Sequence, residues 1–153
     1  MITLIASVIV FNFIAFKTNR NLTNNQIVHI WFFTIALQHL FDVTINFKLF
    51  GYWYFGKDIE WIGVVPYTVL IPPVNMMFLN WYPFSKHTVT KVGYIFLWNI
   101  IALLYEVVAL LPEPWGYFHY GWWKLWYSAV LYPFLLVTII KYYKWIIKIE
   151  KAL

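Results

Sequence analysis

An all-α bundle of transmembrane helices is the fold class that this sequence predicts. Of its 153 residues, 63% are hydrophobic and only 11% are charged. Soluble domains carry about 25% charged residues, so this chain cannot cover a water-facing surface. The apolar residues also gather in five long stretches that charged and turn-forming residues interrupt. The sequence therefore predicts one transmembrane domain over residues 1–153, with no soluble domain.

Five spans are expected, arranged as a short anchor and two helical hairpins. The first stretch, residues 2–16, measures about 22 Å as a helix, against a hydrocarbon core of roughly 30 Å. It has neither a basic leader nor a small-residue cleavage site, so we interpret it as an uncleaved anchor. The other four are close to the ~20 residues that a spanning helix needs. They are expected over residues 27–47, 61–81, 92–111 and 125–145.

Basic residues mark the two ends of these spans unequally. At one end lie Lys17, Arg20, Lys86, Lys91, Lys141, Lys144, Lys148 and Lys151, and at the other lie Lys48, Lys57 and Lys124. Cytoplasmic loops carry the excess of Lys and Arg, so the N-terminus is expected outside and the C-terminus in the cytoplasm. Charges at helix ends suit anionic lipid headgroups rather than nucleic acid. The expected partners are the lipid bilayer and, if the protein works in a complex, other membrane proteins.

Tryptophan and tyrosine crowd the predicted outer ends of the spans. These residues are Tyr52, Trp53, Tyr54, Trp61, Trp115, Tyr117, Tyr120, Trp122 and Trp123. Such amphipathic rings favour the headgroup layer, so we interpret them as an interfacial belt, with an aromatic ligand platform as the alternative. Two Gly-flanked aromatic segments in this group, residues 51–56 and 116–121, occupy equivalent places in the two hairpins. They suggest an internal repeat and a pseudo-twofold bundle.

Polar side chains inside two spans form the main candidate site. Its residues are Gln38, His39, Asp42, Asn46, Asn99 and Glu106. The spacing of His39, Asp42 and Asn46 places them on one helical face, with Gln38 at its edge. Asn99 and Glu106 likewise share a face of the fourth span. Both acids lie about 9 Å below the predicted outer boundary, so two carboxyl groups are expected at equal depth.

The two acids allow a functional and a structural interpretation. An ionisable residue inside a span costs about 2.5–3.5 kcal/mol on insertion scales, so it faces the bundle interior or a wet cavity. Asp42 and Glu106 are therefore candidates for a shared-proton, ion or substrate site. Alternatively, His39, Asn99 and tyrosines such as Tyr105 satisfy the acids and hold the helices together.

The third span is interrupted by Pro66, Pro72 and Pro73. Proline lacks an N–H, so the carbonyl groups that it frees must be satisfied by neighbours or water. Because Thr68, Pro72 and Asn75 share a face, the break is a candidate lining for a polar cavity, as in transporters. An ordinary kinked membrane helix is the alternative.

A metal or cofactor is not predicted. The chain has no cysteine, which excludes disulfides, thiolate ligands and cysteine nucleophiles. His39, Asp42 and Glu106, with His119 or Glu60, are acceptable ligand types. No spaced ligand motif accompanies them, however.

Several short segments resemble a family of small uncharacterised multipass proteins of Gram-positive spore-forming bacteria. They are Phe41-Asp42, Gly51-Tyr52, Ile59-Glu60-Trp61, Phe78-Leu79-Asn80-Trp81-Tyr82-Pro83, Leu104-Tyr105-Glu106 and the stretch from Gly121 to Ser128. The resemblance covers roughly residues 28–145. It implies a bacterial plasma-membrane protein of about five spans, and it assigns no catalytic residue.

Three functions remain open at this stage. The first is a non-enzymatic accessory subunit, sensor or minor transport module built around Asp42 and Glu106. The second is an intramembrane enzyme acting on a lipid or isoprenoid, which would need both acids at one lipid-accessible cavity with His39 as partner. The third is a structural scaffold with no cavity.

Overall fold

The computed structural model describes residues 1–57 and 61–152. Helices dominate this part of the chain: α1 (Ile2–Thr18), α2 (Asn24–Phe41), α3 (Ile71–Trp81), α4 (Thr88–Ala109) and α5 (Leu125–Glu150). Two short strands, β1 (Tyr52–Tyr54) and β2 (Phe118–Tyr120), pair as an antiparallel ribbon. The prediction of an all-α bundle is confirmed.

Among the described residues, four continuous helical segments are long and apolar enough to cross a membrane. They are Asn24–Lys48, Trp61–Trp81, Thr88–Ala109 and Leu125–Glu150. The first joins α2 to a π-helical turn, Asp42–Lys48, and the second joins a 3-10 turn and a π-helical turn, Pro66–Leu70, to α3. Their length and composition are those of a membrane protein, and they overlap the four longer predicted spans with different ends.

Helix α1 is shorter, with 17 residues and a length of about 25 Å. The ammonium group of Met1 donates hydrogen bonds to the carbonyl oxygens of Pro114 at 2.8 Å and Gly116 at 2.7 Å. This contact places the start of α1 beside the β1–β2 ribbon. We call this end of the bundle the ribbon end, and the opposite end, where α1 leads into α2, the basic end.

The five helices form a ring around a central space. Helix α3 packs against α1 and α2, and α5 packs against α2 and α4. A smaller contact between α1 and α4 closes the ring, with the Phe11 and Tyr105 ring centroids 5.7 Å apart. Both predicted hairpins, α2–α3 and α4–α5, are thus formed.

The proline-rich start of α3 is held by two neighbouring helices. Pro72 and Pro73 cannot donate to the carbonyl groups four residues earlier, which belong to Thr68 and Val69. Instead, the Trp31 indole N–H donates to the Thr68 oxygen at 2.9 Å, and the Asn12 amide donates to the Val69 oxygen at 2.8 Å. Side chains from α2 and α1 therefore replace the missing backbone donors, as a membrane interior requires.

The ribbon covers one end of the bundle. Its register pairs Tyr52 with Tyr120, Trp53 with His119 and Tyr54 with Phe118. The Gly51 carbonyl accepts from the N–H of Gly121 at 2.8 Å. A Cβ on Gly121 would lie 2.2 Å from the Phe50 carbonyl oxygen, so this approach needs glycine. The two segments that suggested an internal repeat thus pair with each other.

The aromatic residues near the ribbon divide into two groups. Trp61 is 92% exposed and Trp115 is 56% exposed, as an interfacial belt requires. Tyr52 and Tyr117 are only 7% and 3% exposed, because their rings pack under the ribbon. The belt interpretation therefore does not hold for these two tyrosines.

Candidate functional site

Glu106 lies at the centre of a hydrogen-bonded cluster between α4, α5 and the ribbon. Its side chain is buried, and one carboxyl oxygen accepts from the hydroxyls of Tyr120 and Ser128, the latter at 2.7 Å. The other oxygen accepts from the hydroxyl of Tyr132. Ser128 in turn accepts from the Trp123 indole N–H at 2.9 Å. Three hydroxyl donors therefore converge on one acid.

Asp42 forms a separate cluster where α2 changes into its π-helical turn. It is 1% exposed, and its Oδ1 accepts from the Tyr52 hydroxyl at 2.7 Å and from the Gln38 amide at 3.4 Å. Its Oδ2 has no hydrogen-bond partner within the described residues. Burial and the charge of Asp42 raise the pKa of Tyr52 above that of an ordinary phenol. The phenol therefore stays protonated and donates.

The remaining predicted site residues are dispersed. Asn46 is buried on the π-helical turn, whereas His39 is exposed and its ring lies beside Tyr67. Asn99 donates to the Ala129 carbonyl at 3.1 Å, so Asn99 and Glu106 both face α5. The structure thus keeps Gln38 with Asp42, and it places Asn99 on the same side of α4 as Glu106 without a hydrogen bond between them. Among the described residues, His39 hydrogen-bonds to neither acid.

The two acids do not form the shared-proton pair that equal depth suggested. Across residues 1–57 and 61–152, each acid has its own donors and no hydrogen bond joins the two. Burial and the hydrogen bond to Glu106 raise the pKa of Tyr120 as well. Tyr52 and Tyr120 therefore each act as a neutral donor to one acid.

A cavity of about 470 Å³ lies at the centre of the helix ring. All five helices line it, and its wall at the ribbon end includes Glu106, Ser128 and Tyr132. Most of the remaining lining is apolar, and Thr34, Asn75 and Gln38 are among its few other polar residues. Among the described residues that line this cavity, Asp42 is not present. The cavity is therefore an apolar chamber with an acidic end.

The candidate metal ligands remain apart. The described part of the chain holds no group of three or more His, Cys, Asp or Glu side chains that could bind a metal ion. Glu60, one of the residues considered as a ligand, lies outside the described residues.

Four partners of the acids were not recognised in the sequence: Tyr52, Tyr120, Ser128 and Tyr132. Ser128 and Tyr132 are four residues apart on α5, so they share a face, and that spacing is a signal that could have identified them.

Comparison with protein-family models, with characterised proteins and with solved structures finds no match for the chain.

Proposed function

We propose that this protein is a non-enzymatic membrane module, an accessory, sensor or minor transport protein, that binds a hydrophobic organic cation in its central cavity. The observation that carries the proposal is the position of Glu106 in the cavity wall. Of the described residues that line the cavity, Glu106 is the only Asp, Glu, Lys or Arg. A charged ligand that enters this apolar chamber is therefore selected for positive charge.

Aromatic side chains surround the acidic end of the cavity. The lining there includes Tyr52, Tyr54, Tyr105, Phe118 and Trp123, beside Glu106. Aromatic faces attract cations, most strongly when water is excluded, and quaternary ammonium groups are recognised in this way. A carboxyl group beside aromatic rings therefore suits an ammonium or phosphonium ligand better than an anion or a plain hydrocarbon.

The shape of the cavity supplies the apolar part of the ligand site. On α5 the lining extends from Ser128 to Ile139, which is about 16 Å of helix. Over this length the wall contains side chains such as Leu131, Leu135 and Leu136. A ligand with a cationic head and an apolar body would place its head near Glu106 and its body along α5.

The alternative of an acid–base enzyme needs both acids at one cavity. Glu106 faces the cavity, but Asp42 is held in a separate cluster by Tyr52 and Gln38. The geometry supports the binding module better, and it gives Asp42 a structural role in positioning Tyr52. The scaffold alternative predicts no cavity, whereas all five helices line one of about 470 Å³.

We further propose that the protein works in the bacterial plasma membrane. The excess of basic residues at the basic end supports a cytoplasmic location for that end. The resemblance of several short segments to proteins of spore-forming bacteria also supports the proposal of a bacterial plasma membrane.

The test measures equilibrium binding of decyltrimethylammonium to the purified chain in nanodiscs. Decanol and decyl sulfate, which have the same chain length, serve as neutral and anionic comparators. We expect saturable binding of the ammonium compound only. Glu106→Gln should weaken it about tenfold or more, because it removes the one carboxylate that the described lining of the cavity offers to the ammonium charge. Glu113→Gln is the matched control, since it removes the same charge from an exposed loop.

Two outcomes would overturn the proposed function. One is equal binding of decanol and the ammonium compound, which would leave no role for the acid. The other is unchanged ammonium binding by Glu106→Gln. Glu106→Asp, which keeps the charge, should retain most of the binding and thereby separates a loss of charge from a loss of folding.

A further inference from the structure

The structure assigns a second site, independent of the proposed function, at the basic end of the bundle: we infer that Lys17 and Arg20 bind the phosphate of an anionic phospholipid. A cleft of about 470 Å³ lies there between the end of α1 and the end of α3. Its lining is Lys17, Thr18, Arg20, Asn21, Asn80 and Trp81. This lining contains two cations and no acid, which suits a phosphate group.

The backbone of this cleft is fixed by one buried side chain. Asn80 is 5% exposed, and its Oδ1 accepts from the backbone N–H of Arg20 at 3.0 Å and of Asn21 at 3.1 Å. Its Nδ2 donates to the Thr18 carbonyl at 3.0 Å. The turn that carries Arg20 is therefore held against α3 before any ligand binds, which lowers the entropy cost of binding.

The surroundings of the cleft distinguish a lipid from a free phosphate. Phe13 is 61% exposed, Phe16 is 54% exposed and Trp81 is 45% exposed, so the cations stand beside apolar surface. The Lys17 ammonium lies 5.0 Å from the centre of the Phe13 ring. A phospholipid could place its phosphate between the cations and its acyl chains along these rings. Inorganic phosphate would use only the cations.

Trp81 also lines the central cavity. Trp81 therefore separates two sites of opposite charge. Cations line the cleft, whereas Glu106 lines the ribbon end of the cavity.

The experiment titrates the purified full chain, in a neutral detergent, with phosphatidylglycerol, phosphatidylcholine or inorganic phosphate. Native mass spectrometry counts the bound molecules. We expect one phosphatidylglycerol to bind in preference to phosphatidylcholine, and inorganic phosphate not to displace it. Each basic residue near a membrane surface is worth about fivefold in affinity, so Lys17→Gln with Arg20→Gln should weaken binding about 25-fold.

Two further variants make the result specific. Lys48→Gln with Lys57→Gln removes the same charge from the ribbon end and should leave binding unchanged. Lys17→Arg with Arg20→Lys keeps both charges and should retain binding. The proposed site would be contradicted if the two lipids bound equally, or if the two pairs of Gln substitutions weakened phosphatidylglycerol binding equally. Displacement by inorganic phosphate at the same concentration as phosphatidylglycerol would overturn its assignment to a lipid.

Discussion

Tyr52 and Tyr120 lie directly opposite each other across the β1–β2 ribbon, and each donates its hydroxyl to a different buried acid. Tyr52 bonds to Asp42, and Tyr120 bonds to Glu106. One cross-strand pair therefore links the end of α2 to the last turn of α4. The ribbon is more than a connection between spans, because it positions the donors on which both acids depend.

Removing these two hydroxyls should have unequal effects. Tyr52→Phe leaves Asp42 with only the long hydrogen bond from Gln38, so we expect a loss of about 1–3 kcal/mol in unfolding free energy. Tyr120→Phe leaves Glu106 with Ser128 and Tyr132, so the loss should be nearer about 1 kcal/mol. Thermal unfolding in detergent measures both. Tyr127→Phe, on the neighbouring face of α5, is the control, and a larger loss for Tyr120→Phe than for Tyr52→Phe would contradict the argument.

The donors that replace the proline N–H groups can be tested in the same assay. Trp31→Phe leaves the Thr68 carbonyl without its indole donor, and Asn12→Leu leaves the Val69 carbonyl without its amide donor. Each change should cost about 1–3 kcal/mol, because hydrocarbon around the bundle offers no replacement donor. Trp126→Phe, at a 57% exposed tryptophan, controls for the loss of an indole. The idea fails if Trp31→Phe is no more harmful than this control.

Two glycines should respond to alanine in opposite directions. A Cβ on Gly116 would lie 1.9 Å from the Leu111 carbonyl oxygen, so Gly116→Ala must displace the backbone next to the Met1 contact. We expect a loss of about 1–3 kcal/mol. Gly93 is inside α4 and has nothing within 4 Å of an added Cβ, so Gly93→Ala should gain about 0.5–1 kcal/mol. Melting temperatures that move in the same direction for both variants would contradict this prediction.

The orientation in the membrane can be measured directly, because the chain has no cysteine of its own. Glu113→Cys places a thiol at the ribbon end and Asn24→Cys places one at the basic end, both at exposed positions. A membrane-impermeant maleimide added to intact cells should label Glu113→Cys, and should label Asn24→Cys only after permeabilisation. The unsubstituted protein is the blank. The reverse labelling pattern would show that the excess of lysine lies outside.

The spans could be predicted from sequence because each depends on the composition of one continuous stretch. The burial of Asp42 and Glu106 followed from the same reasoning, since an acid inside a span must face the bundle interior. Both are buried in the structure. These conclusions needed no knowledge of how the helices pack.

The partners of the acids could not be predicted in the same way. Ser128 and Tyr132 reach Glu106 only because α4 and α5 pack side by side, and strands of three residues are too short to give an alternating pattern. His39 and Asp42 are three residues apart, which is about 60° around an α-helix, and only Asp42 lies under Tyr52 of the ribbon. His39 is left exposed beside Tyr67, because the sequence does not show which edge of the shared face the ribbon covers.

The order of helices around the ring has a consequence for biogenesis. Helix α5 is synthesised after the other four helices, yet it lies between α2 and α4 and completes the wall of the cavity. A nascent chain that has inserted only α1 to α4 would have an open groove facing the lipid, and Glu106 would lack Ser128 and Tyr132. The cavity and the cluster around Glu106 are therefore completed only when α5 packs between α2 and α4.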